Sequence, residues 1–65
     1  MESDQTFIES AYAEALRGLY AKLFESYLEA GADTAQHREA DERFKIGVRF
    51  ARSSRDRALV LLSEA

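Results

Sequence analysis

The sequence predicts an all-α fold: a helical hairpin of two long helices, with room for a short third, that pairs with a second copy into a four-helix-bundle-like assembly. Three observations lead there. Proline is absent, only six residues are β-branched, and Ala, Leu, Glu and Arg dominate the 65 residues, a composition that favours helix almost throughout. A single strong interruption, Glu29-Ala30-Gly31-Ala32-Asp33-Thr34, divides the chain near its middle. Apolar side chains outnumber what two helices can cover between themselves. The whole chain, 1–65, reads as one helical domain.

Helix 1 is expected over about 4–30. Ser3 or Asp4 is placed to accept from the free amides of the first turn, and Glu2, Asp4 and Glu9 lie near the positive end of the helix dipole. The turn falls at 31–33, where Gly31 suits the left-handed conformation that ends a helix. Asp33 is then the cap of helix 2, with Gln36 set to reach back as in a capping box. Helix 2 runs over about 34–53. Beyond it the row His37, Ala40, Phe44, Val48, Ala51 meets Arg55 before Ala58, Leu59 and Leu62. Two continuations over about 54–64 follow. Either Arg55 snorkels from one long helix, or Ser53 caps a short third helix with Asp56 at its third position.

Helix 1 carries apolar residues in adjacent pairs every four positions: Phe7/Ile8, Ala11/Tyr12, Ala15/Leu16, Leu19/Tyr20, Leu23/Phe24 and Tyr27/Leu28. At about 100° per residue a four-residue step overshoots one turn by about 40°, so this doubled stripe winds around the helix. Helix 2 also shows two apolar sides, Phe44 and Val48 on one and Ile46 and Phe50 on the other, with Gly47 between them where another backbone could approach. Eighteen large apolar or tyrosine side chains in so short a chain exceed what a lone hairpin shelters. With no cysteine there is no disulfide framework or thiolate metal site, which leaves association as the source of added stability. A homodimer is therefore expected. Its interface, with itself or a partner, is drawn from Tyr12, Leu16, Leu19, Tyr20, Leu23, Phe24 and Tyr27 of helix 1 and Phe44, Ile46, Val48 and Phe50 of helix 2. The alternative is a monomeric three-helix bundle of structural role, in which residues 55–64 fold back over the second faces.

The formal net charge is −3, which gives the chain no general attraction for nucleic acid or anionic membrane. The distribution is uneven. Residues 1–42 hold ten acidic residues against three basic ones, whereas 43–57 hold six basic residues against Asp56 alone. Arg38, Lys45, Arg49 and Arg52 share one helix side, and with Arg55 they form a basic stripe flanked by Phe44 and Phe50 that could follow a phosphate backbone. Equally, these cations could pair with Glu14, Glu25 and Glu29 across the hairpin or a dimer. Helix pairs Glu39–Arg43 and Asp41–Lys45 are also expected. No segment is apolar enough for a membrane span or a secretory signal, so a cytoplasmic setting is the default expectation.

Little in the sequence suggests chemistry. His37 and Asp41 share a helix side, but two ligands fall short of a transition-metal site, and no Glu-x-x-His pair indicates a di-iron bundle. The serines have no base nearby in sequence, and three scattered glycines cannot build a phosphate-binding loop. No catalytic residue, cofactor or metal is expected, and the chain is read as a non-enzyme. The expected role is interaction with another protein, as a homodimeric adaptor, chaperone-like or regulatory subunit offering an apolar helix groove. Binding of RNA or DNA through 43–57 is the alternative.

Overall fold

The computed structural model describes residues 3–65, so the expected contribution of Glu2 to the helix dipole lies outside the described residues. Two helices make up the fold, α1 (Asp4–Ala30) and α2 (Thr34–Glu64), joined by a three-residue turn into an antiparallel hairpin. Each begins at a side-chain cap. The Ser3 hydroxyl accepts from the amide of Thr6 at 3.1 Å, and one carboxylate oxygen of Asp33 accepts from Ala35 and Gln36 at 3.0 and 3.1 Å. The reciprocal half of the capping box is replaced: the Asp33 amide donates to the Ala30 carbonyl at 3.0 Å, closing the turn and leaving Gln36 nothing to reach. Gly31 ends α1 at φ 58°, and its amide donates to the Tyr27 carbonyl. An L side chain at that φ is strained, which explains glycine there.

The doubled stripe resolves once α2 lies beside α1. Half-buried positions in α1 are Ile8, Tyr12, Leu16, Leu19, Leu23, Ser26 and Ala30. Up to Leu16 the second member of each pair turns inward; at Leu19 and Leu23 the first member does, and beyond them the row passes through Ser26 while Tyr27 and Leu28 stay exposed. The three-residue step from Leu16 to Leu19 cancels the 40° drift that steps of four accumulate, which keeps the row under its partner helix. From Tyr12 onward the spacing alternates between four and three, as in a coiled-coil seam. In α2 the half-buried row includes His37, Asp41, Phe44, Val48, Ala51, Arg55, Ala58 and Leu62, the same alternation sustained over the whole helix. Ala40, 4 % exposed, is the only fully buried residue among those described. The side chain of Leu19 fills the space at Gly47, which has no Cβ to occupy it, so the approach at this glycine is made by a side chain.

α2 runs unbroken through Ser53 and Ser54, so the alternative of a third helix folding back does not form. The reason lies at Arg55. Its guanidinium carbon rests 4.4 Å from the centre of the Tyr12 ring, and two of its nitrogens reach a carboxylate oxygen of Asp56 at 3.0 and 3.1 Å. A cation in the apolar row therefore meets an aromatic face and a counter-ion, and the helix has no cause to break.

The result is one layer of helix. Its Cα atoms span 48 × 21 × 8 Å with a radius of gyration of 15.2 Å, whereas a compact chain of this length has a radius of about 11 Å. Compact domains stack two layers around a core. Here the core is the single seam between α1 and α2.

Candidate functional site

Two opposite broad faces flank the seam, and the positions expected at an interface divide between seam and surface. Tyr12, Leu16, Leu19, Leu23, Phe44 and Val48 are half-buried between the helices. Tyr20, Phe24, Tyr27, Ile46 and Phe50 are exposed, along with Phe7, Leu28, Val60 and Leu61. Phe50 is the most open of the aromatics at 69 %, followed by Phe7 at 64 % and Tyr20 at 62 %. The C-terminal segment covers none of them.

On the first face, Ile8, Ala11, Tyr12 and Ala15 of α1 join Phe50, Ala51, Ser54, Arg55 and Ala58 of α2 around a groove of about 360 Å³. Nearer the turn is a second depression, lined by Leu19, Lys22, Leu23, Ser26, Ala40, Arg43 and Phe44. The floor of the groove is made largely of Ala and Ser. Those residues carry little signal in a sequence, because their importance lies in the space they leave.

On the other face, Tyr20 and Phe24 stack with ring centres 6.4 Å apart. Near the turn, Tyr27 lies flat on His37, centres 4.2 Å apart with planes 1° from parallel, and its hydroxyl donates to an Asp41 carboxylate oxygen. That hydrogen bond, with some desolvation and the negative charge of Asp41, holds the Tyr27 hydroxyl above its ordinary pKa. The His37 Nε2 is buried without a hydrogen-bond partner. Asp41 is thus committed to Tyr27, not to His37 or Lys45. Among the described residues no three His, Cys, Asp or Glu side chains converge as metal ligands.

The ion pairs correct a sequence expectation. All four among the described residues lie within a helix: Glu14–Arg17 at 3.2 Å, Glu39–Arg43 at 3.8 Å, Glu42–Lys45 at 3.3 Å and Arg55–Asp56 at 3.0 Å. None joins α1 to α2, because apart from Asp41 and Arg55 the charges flank the seam on outward-turned positions. Lys45 takes Glu42 in place of Asp41. Arg38, Arg49 and Arg52 are exposed and enter no ion pair among the described residues, while Arg55 leaves the stripe to pack on Tyr12. Its pairing with Asp56 raises the Arg55 pKa further, against an opposing desolvation.

Neither helix is long and apolar enough, over the described residues, to cross a membrane. No known family model matches the chain, and neither do curated proteins or solved structures.

Proposed function

We propose that this chain is a non-enzymatic interaction protein of the cytoplasm: a homodimer of hairpins that presents its remaining apolar and aromatic surface to another protein. One observation carries the reading. A folded monomer of 7.4 kDa exposes about 4,200 Å², whereas the hairpin exposes 5,209 Å², with a single residue fully buried among those described. The surplus of about 1,000 Å² is of the size that one side of a standard protein interface removes from water. Exposed aromatic side chains within it are the residue types that dominate binding energy at interfaces.

Light scattering over a range of concentrations tests the dimer, which should give twice the chain mass at micromolar concentration. A mass of one chain at every concentration up to the millimolar range refutes it.

A second reading has its own support. Arg38, Arg49 and Arg52 stand clear of carboxylates on α2, and Tyr20 and Phe24 offer exposed ring faces for unpaired bases. A gel shift with single-stranded RNA that fades steeply with salt and disappears in Arg49→Glu would favour it over a protein partner. The negative net charge weighs against it.

A further inference from the structure

We infer that the grooved face, the one carrying Phe50, is where the second copy docks, and that the two hairpins lie with their turns at the same end. This rests on the dimer proposed above and specifies its geometry. Two flat hairpins stacked face to face admit two simple twofold arrangements. With the axis along the hairpin, α1 of each copy lies on α2 of the other and the turns coincide. With the axis across it, α1 lies on α1, α2 on α2, and the turns are at opposite ends.

The overall charge of each helix separates the two, although on the groove lining itself Lys22 of one copy meets Arg43 of the other. α1 holds five carboxylates against two cations, formally −3; α2 holds seven cations against five carboxylates, formally +2. The coincident arrangement sets −3 against +2 on both sides of the bundle. The opposed arrangement sets like on like twice. None of these charges is matched between helices within the protomer, since every ion pair among the described residues is internal to a helix. Complementarity of this kind selects orientation more than it adds affinity.

Shape accommodates the same arrangement. A twofold along the hairpin preserves height, so Phe50 of one copy arrives at the level of its own neighbours Ala11 and Ala15, on α1 of the other. One turn further along, Gly18 has open space around it, with nothing within 4 Å of where a Cβ would stand. A mid-helix glycine costs about 1 kcal/mol relative to alanine, and no contact in the protomer requires it. The 48 × 21 Å face also offers the roughly 800 Å² per partner that a stable interface needs.

The chain has no cysteine, so Ala32→Cys at the exposed turn gives a single site for a spin label. Pulsed electron resonance on the labelled protein, with its mass measured in parallel, tests the geometry. Coincident turns give a short separation, set by the ~10 Å spacing of packed helices plus the label arms. A dimer mass with a separation near the 48 Å length of the hairpin overturns the inference and leaves the dimer standing. A monomer mass throughout overturns both. Phe50→Ala should raise the dimer dissociation constant about thirtyfold at unchanged helical circular dichroism, because the ring is exposed in the protomer; an unchanged constant rules this face out.

Discussion

At the scale of single residues the turn end of the hairpin is held by one side-chain cluster. Tyr27 covers His37 with its ring and donates its hydroxyl to Asp41, so one residue of α1 grips two successive positions of the α2 seam. The linkage to pH follows from the direction of the shift. The folded protein holds the tyrosine proton more tightly than the unfolded chain, whose value is 10.0. The stabilisation is therefore complete below pH 10 and is lost as pH rises through the higher folded value. Urea unfolding as a function of pH should show wild type more stable than Tyr27→Phe by a constant margin from pH 7 to about pH 10, with the margin closing above it. A margin that persists unchanged at higher pH would remove the hydroxyl from the account. The pairing spans fourteen residues, so the sequence presents Asp41 as the partner of His37 or Lys45 at helical spacing; only the apposition of the helices reveals Tyr27.

At the scale of the elements the two helix starts are set locally and the continuity of α2 is not. Asp33 satisfies two amides of the first turn of α2, so Asp33→Ala should lower stability by about 1 kcal/mol, measurable by chemical unfolding. Tyr20→Phe, on a hydroxyl with no partner among the described residues, serves as a control with little change. α2 persists past Ser53 because Arg55 has both Tyr12 and Asp56 to meet. Arg55→Ala removes the aromatic contact while keeping a good helix former. Amide exchange over 53–62 should then speed up relative to 37–48, as the open end of the hairpin loosens before the turn end. Uniform exchange along α2 would show that the Tyr12–Arg55 contact does not hold the end together.

At the scale of the whole molecule the core is a single seam, with Ala40 alone fully buried among the described residues. Chains of this size bury a smaller fraction of their surface than larger ones even when compact, and this one is extended. If folding is completed by association, stability depends on protein concentration, by about 1.4 kcal/mol per tenfold rise when folding and dimerisation coincide. The thermal midpoint should climb measurably between micromolar and millimolar protein. Leu23→Asp places a carboxylate in the seam without a partner and should abolish helix and dimer together. A variant that keeps full helicity would mean that Leu23 does not anchor the core.

The sequence by itself determined that the protein is helical with a turn at residues 31–33, because caps, helix propensity and a positive-φ glycine act over three or four residues and are written in consecutive letters. It also determined that each helix has more apolar surface than one neighbour covers. The tertiary structure decided which member of each pair faces inward, that Arg55 is accommodated without a break, and that the ion pairs stay within their own helices. Those outcomes depend on the register between two rods, a relation between residues fourteen to more than forty apart. Helical periodicity fixes the angle of every side chain about its own axis but not the height at which the other axis passes it.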